Sequence, residues 1–224
     1  MELIEAIQTR SSVRGFSNRK VAKHVLNEIL DIACRAPSAM NTQPWEFVVL
    51  GGEPLDRIRA SLVEKLKRKD PMKPDHLVVG WPPESVYRQR QVELAKGLFK
   101  LMDIQREDQE KRSGWLERGF RFFDAPTAIV LLTDKSLTEN GPLLDMGAVM
   151  QNICLAALDF GLGTCIEDQG VLYPEVVREI ARIPESKRII IAIAIGYPDP
   201  DFPANKNRSR REPATNLTSW VGFE

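Results

Sequence analysis

The run Ile189–Ile195, IIIAIAI, constrains this chain more than any other segment. It is apolar throughout, and five of its seven residues are β-branched. A run that does not alternate with polar residues predicts a strand buried on both faces. Such a strand needs a layer of structure on each side of its sheet. Ala128–Thr133 (AIVLLT) and Trp45–Leu50 read as further strands, the second stopped by Gly51-Gly52, and Thr164–Glu167 as a short one. Apolar spacing predicts helices over Glu2–Gln8, Lys23–Arg35, residues 53–69, Glu84–Arg112, Leu144–Phe160 and Pro174–Ile183. Ala36-Pro37 stops the second of these, because the residue before proline is pushed out of the helical region. Gly161 and Gly163 stop the fifth. Helices outnumber strands and alternate with them, which predicts one α+β domain, a small sheet flanked by helices.

Composition removes several function classes. The 31 basic and 31 acidic residues cancel, so the electrostatic footprint of a nucleic-acid binder is missing. With 43% hydrophobic residues in 224, the chain can bury a core and is no disordered segment. Cysteines 34, 154 and 165 form no CxxC pair and predict a reducing compartment, not a disulfide scaffold. The first residues carry no apolar signal region, and the charge-free window Met146–Leu158 is too short for a bilayer, so no membrane contact and a cytoplasmic location are expected. His24 and His76 lack neighbours at ligand spacing; both are expected at the surface, and no metal is expected. No GxSxG, SxxK, HExxH or P-loop pattern occurs, so hydrolase chemistry is excluded and redox chemistry needs a borrowed cofactor. Two features ask for a second copy of the chain. The helix Leu144–Phe160 is apolar almost all round, and the tail ends in Leu217, Trp220, Val221 and Phe223.

Three segments carry candidate chemistry. Arg10-Ser11-Ser12-Val13-Arg14 sets two guanidinium forks and two hydroxyls in five residues, a phosphate or carboxylate cradle or else a solvated turn. Pro37-Ser38-Ala39-Met40-Asn41-Thr42-Gln43-Pro44-Trp45 places hydroxyls and amides just before a strand. Amides there can pair with a heterocycle edge, although a capped helix end followed by a turn has the same composition. Arg208-Ser209-Arg210-Arg211 is a basic patch near the end of the chain.

Together these segments resemble the FMN-dependent nitroreductase family. The resemblance runs from Arg10–Arg14 to APSAMNTQPWEFVVL about two dozen residues later, GLGTC at 161–165, IAIGYPD at 193–199, and the basic tail. It implies a single domain over residues 1–224, with a mostly antiparallel central sheet and an intertwined homodimer. Residues 71–125 would be a helical insert covering the flavin, and residues 198–224 an extended tail docking on the partner. Arg10 and Ser12 match positions that hold the ribityl phosphate, with Ser11 nearby, and Arg211 and Arg208 match cations closing on it. Arg14 matches the cation beside flavin N1 and O2 that tunes the ring. Pro37, Ser38, Ala39 and Asn41 match a segment reaching the flavin from the partner subunit. Ile166 and Glu167 match a strand end whose backbone passes the N5 and O4 edge. Ser11 departs from the family pattern, where Arg or His is common. Arg88, Gln89, Arg90 and Gln91 compete for the N3 edge.

The implied reaction is ping-pong hydride transfer from NAD(P)H through non-covalent FMN to a small aromatic acceptor, with no side-chain nucleophile. The branch reducing nitroaromatics is most similar. Dehalogenation, enone or quinone reduction, a flavin-binding redox module without turnover and an anion-binding scaffold are the alternatives. Among the insert's aromatics Trp81, Tyr87, Phe99, Trp115, Phe120, Phe122 and Phe123 are candidates for stacking on the acceptor.

Overall fold

The computed structural model describes every residue except 79 and 224; these two positions, within the expected insert and at the end of the expected tail, lie outside the described residues. The strands are β1 (Glu46–Gly51), β2 (Thr127–Asp134), β3 (Gly163–Glu167) and β4 (Lys187–Gly196). They form one sheet in the order β1-β2-β4-β3, and every neighbouring pair is antiparallel. The isoleucine run thus sits in an interior strand, β4, as its lack of alternation requires.

The helices are α1 (Leu3–Thr9), α2 (Lys23–Ala33), α3 (Gly52–Arg68), α4 (Val86–Leu101), α5 (Gln109–Phe120), α6 (Leu143–Asp159) and α7 (Pro174–Ala181). On one face of the sheet, Ala128, Val130, Leu132, Ala192 and Ala194 meet Leu55, Ile58 and Leu62 of α3 and Val176 and Val177 of α7. On the other, Ile129, Leu131, Ile191, Ile193 and Ile195 meet Leu26 and Ile29 of α2 and Val149 and Ile153 of α6. Small residues on the first face of β4 leave room for Phe120, Phe122 and Tyr173; branched ones fill the second. The alternation slips once. Leu131 pairs with Ile191 and Leu132 with Ile189, so Ile190 is the extra residue of a bulge and faces the same way as Ile191.

One expected helix, Glu84–Arg112, is two. α4 ends at Leu101, Asp103 takes a left-handed φ of 50°, and Ile104 turns into the core. Asp108 then caps α5 by accepting from the Lys111 N–H at 3.0 Å. The turn between them shapes the cleft described below. His24 is exposed as expected, but His76 is half-buried, and its Nδ1 has no hydrogen-bond partner among the described residues. Beside it Asp75 accepts from Ile189 N–H at 2.8 Å and pairs with Arg178, which ties the proline-rich passage to β4 and α7.

Candidate active site

The loop after α1 is short and polar, and it is held from three directions. Ser12 bridges Thr164 of the edge strand β3, and Val13 N–H donates to Thr164 O at 2.9 Å. Behind it, the Asn205 side chain makes four hydrogen bonds. Its Oδ1 accepts from the N–H groups of Arg14 (2.8 Å) and Gly15 (3.1 Å), and its Nδ2 donates to Gly15 O (2.8 Å) and Asp199 O (2.9 Å). Gly15 lies flat on Phe202, where an added Cβ would come within 2.0 Å of the ring; only glycine fits. From the third side Arg118 donates to Arg14 O (3.2 Å) and Phe123 O (3.3 Å), stacks over Phe202 and pairs with Asp124 at 2.9 Å. Burial pulls the Arg118 guanidinium below its ordinary value, opposed by Asp124.

Two cavities open on this loop. The first, about 480 Å³, is lined by Arg10, Ser11, Ser12 and Arg14, by Ile7 and Gln8 of α1, by Leu94 of α4, and by Asn207, Arg208, Ser209 and Arg211. No carboxylate appears among these lining residues. Arg208 is held by the carbonyls of Asn205 (2.8 Å) and Asn207 (3.1 Å), and Arg211 by Ser209 Oγ (2.7 Å). Arg90 of α4 pairs with Glu212 at 3.1 Å and so holds the basic tail segment near the cavity. Four guanidiniums and several hydroxyls without a counter-charge make an anion site that suits a phosphate monoester.

The second cavity, about 520 Å³, is a cleft between the end of β3 and the α4–α5 region. Arg14 lines it as well as the first. Phe99, Trp115 and Phe123 give it aromatic walls, with Trp115 and Phe123 ring centroids 6.4 Å apart and the Arg14 guanidinium 5.8 Å from the Phe123 centroid. Ile166, Glu167, Asp168 and Gln169 form its floor. Glu167 is buried. Its Oε2 accepts from Gly170 N–H at 2.8 Å, while Oε1 has no partner among the described residues. Burial pushes this carboxyl up to about 8 against the pull of the backbone donors, so it keeps its proton at neutral pH. Cys165 beside it is likewise buried, its thiol pushed up to about 12.

The structure therefore brings Arg10, Ser11, Ser12, Arg14, Arg208 and Arg211 around one cavity, and Arg14, Ile166 and Glu167 around the next. Pro37, Ser38, Ala39 and Asn41 line neither. They form a turn in which Ala39 N–H donates to Asp145 of α6 and Gln43 N–H to Ser38 Oγ at 3.0 Å. Met40, Asn41 and Gln43 take left-handed φ values of 51°, 59° and 46°, and Met40 is 95% exposed. Residues held off the preferred backbone in this way cluster at active sites, ligand clamps and switch segments. Arg88, Gln89, Arg90 and Gln91 lie on α4 outside both linings, Arg88 bonded to Gln91 and Arg90 to Glu212. Sequence reasoning missed Asn205, Arg118, Phe202 and Arg112, the last in the lining of the second cavity. The first three act on backbone groups and a ring distant in sequence, and leave no spacing to detect. Of the insert aromatics, Phe99, Trp115 and Phe123 reach the cleft, Phe120 and Phe122 belong to the core, and Trp81 and Tyr87 are exposed.

A basic cavity with no carboxylate in its lining, joined through one arginine to an aromatic cleft, suits a phosphorylated planar ring. Comparisons with known proteins point the same way. A model of the nitroreductase family matches residues 7–197. The 4-nitrobenzoate reductase of Pseudomonas putida is 30% identical over 222 residues, covering 97% of this chain and 95% of that protein. The nitrobenzene nitroreductase of Ectopseudomonas oleovorans is 30% identical over 218 residues, covering 97% and 96%. Among solved structures, the FMN and NADPH-dependent nitroreductase NfnB from Sphigopyxis sp. strain HMH superposes with a TM-score of 0.94 at 25% identity over the whole of both chains. The FMN-dependent NfnB from Mycobacterium smegmatis in complex with NADPH gives 0.90 at 25% identity over 97% of each.

Proposed function

The chain belongs to the nitroreductase family, and on that footing we propose that it is an FMN-dependent oxidoreductase that passes electrons from NAD(P)H to nitroaromatic or similarly electron-poor aromatic acceptors. The observation that carries this reading is the junction of the two cavities at Arg14. Arg10, Arg208 and Arg211, with the Ser11 and Ser12 hydroxyls, would hold the phosphate of FMN. The flavin ring would then extend past Arg14 into the aromatic cleft. When bound, FMN supplies the two-electron chemistry.

The remaining tasks fall to the chain. Arg14 would set a fixed positive charge at the ring edge that gains electrons on reduction; Asn205 holds its backbone N–H and its Nη1 donates to Ser12 O at 3.3 Å, which preorganises it. Glu167, holding its proton, adds no second negative charge beside Asp168 on the floor of the cleft, where it would oppose that state. Phe99, Trp115 and Phe123 offer faces against which an aromatic acceptor displaces water.

The working unit in this reading is a homodimer. Leu3, Ile4 and Ile7 of α1 and Leu144 of α6, the last 86% exposed, leave an apolar surface uncovered in one chain. Leu217, Trp220, Val221 and Phe223 of the tail are likewise exposed, Trp220 at 70%. The tail stays on its own chain as far as Glu212, which Arg90 holds, and its apolar end docks on the partner, while Pro37, Ser38, Ala39 and Asn41 complete the partner's flavin site. Residues 71–125, carrying α4 and α5, cover the flavin as the family insert. No helix among the described residues is long and apolar enough to cross a membrane, and three free thiols suit a reducing cytoplasm.

Heat release of the cofactor from purified protein, followed by chromatography, tests the reading. FMN is the expected product; FAD, or no flavin after reconstitution, overturns it. Oxidation of NADH or NADPH dependent on added nitrobenzene is expected next. Bound FMN without acceptor-dependent oxidation would instead make the protein a redox module without turnover.

A further inference from the structure

The basic residues of α5 and its C-terminal cap differ in one respect. Lys111 reaches Asp103 and Asp108, Arg118 pairs with Asp124, and Arg121 with Glu117 and Asp124. Arg112, on the cleft side of the same helix, makes no ion pair among the described residues. It is nonetheless held in place. Its Nη1 donates to Arg106 O at 2.9 Å, across the turn that separates α4 from α5, and its guanidinium lies 5.7 Å from the Phe99 centroid. One hydrogen bond and one ring face leave most of its five N–H donors free. Ser113 adds a hydroxyl beside it. The acidic groups sharing the cleft are Glu167 and Asp168, both on the floor at the end of β3.

We propose that Arg112 is the specificity-determining residue of this cleft and binds the carboxylate of an aromatic acceptor whose ring lies against Phe99, Trp115 and Phe123. The inference rests on the reductase reading for the use of the cleft and extends it to the substrate class. A planar guanidinium backed by a ring recognises a carboxylate through paired N–H bonds, which a neutral acceptor forgoes. It meets a phosphate by the same bonds, so the donor's phosphates are the other source of such an anion, and the two half-reactions separate them.

The test compares 4-nitrobenzoate with 4-nitrobenzamide, which match in ring and nitro group and differ in charge. Each is titrated calorimetrically into oxidised FMN-loaded protein without donor, and each is then assayed as acceptor. Wild type is expected to favour the benzoate by roughly tenfold to a hundredfold in both measurements, the range of a charge-assisted hydrogen bond. R112Q should bring the ratio close to one, while R112K should retain part of it. Because the readout is a ratio within one variant, general loosening of the turn at Arg106 leaves it unmoved. An equal affinity of wild type for the two ligands, or an R112Q ratio like that of wild type, overturns the proposal. So does a loss confined to reduction by NADH or NADPH, which would assign Arg112 to the donor. If no acceptor is turned over, the reductase reading fails, and the calorimetric ratio still decides for or against the anchor.

Discussion

Glu167→Gln tests the electrostatics of the cleft floor by thermodynamics alone. In the native state the carboxyl is buried, accepts one backbone N–H through Oε2 and has no partner at Oε1, and burial lifts it from an ordinary 4.5 to about 8. Below about pH 4.5 the folded and unfolded chains both carry this proton, and the group contributes nothing to pH dependence. As pH rises above that value the unfolded chain releases the proton while the folded chain keeps it, so stability is lost progressively until the folded group ionises near pH 8. At pH 7 the gap amounts to about 3 kcal/mol withheld from wild type, at 1.36 kcal/mol per unit. Gln keeps the acceptor for Gly170 and mimics the protonated acid, but it has no proton to lose. The variant should therefore match wild type below about pH 4.5 and exceed it by about 3 kcal/mol at pH 7 and about 4 kcal/mol at pH 8, in urea unfolding of the apo protein at several pH values. Every other titrating group is common to both proteins and cancels in the difference. A stability difference that does not change with pH would refute the argument, since it would mean that Glu167 ionises in the folded protein as freely as in the unfolded one.

Asn205→Ala removes four hydrogen bonds from the Arg14–Gly15 loop. At about 1 kcal/mol each, with water recovering part at this half-buried position, the cost should be about 3 kcal/mol in urea unfolding; a loss under about 1 kcal/mol would show that the loop is held elsewhere. Arg10→Ala should weaken FMN binding by about 1.5–3 kcal/mol while leaving the potential of bound flavin alone, whereas Arg14→Ala should lower that potential and slow reduction by NAD(P)H. Potentiometry giving Arg14→Ala the wild-type value would remove the tuning role. Refolding an equal mixture of Arg10→Ala and Asn41→Ala chains should yield about half heterodimers, each with one intact site, so about a quarter of all sites regain full function. If the mixture shows only the mean of the two variants, Asn41 serves its own subunit's flavin.

What the sequence discloses and what it conceals follow from how far apart the interacting groups lie. The strands are legible because burial on both faces is written into consecutive residues: β4 needs no partner to be recognised in Ile189–Ile195. The basic loop and the basic tail are legible singly, since Arg10, Arg14, Arg208 and Arg211 carry their chemistry in their side chains. The break between α4 and α5 was signalled only by a cap, Asp108, inside a polar stretch that helical periodicity tolerates. Asn205 gave no signal. Its partners are backbone atoms of Arg14, Gly15 and Asp199, which any sequence would supply, and Arg14 and Gly15 lie 190 positions or more away. Glu167 was visible as a residue and invisible as a proton store, because its ionisation is set by burial beneath the 3-10 turn at Gln169–Val171, which outweighs the backbone donors of that turn. The same holds for Arg112, one of several cations on a charged helix until the fold pairs its neighbours and leaves it facing the cleft. Residue type states which chemistry is on offer. The charge that stays unpaired, and the proton that stays on, are decided by packing, which is why the specificity and the pH response of this site are legible only in three dimensions.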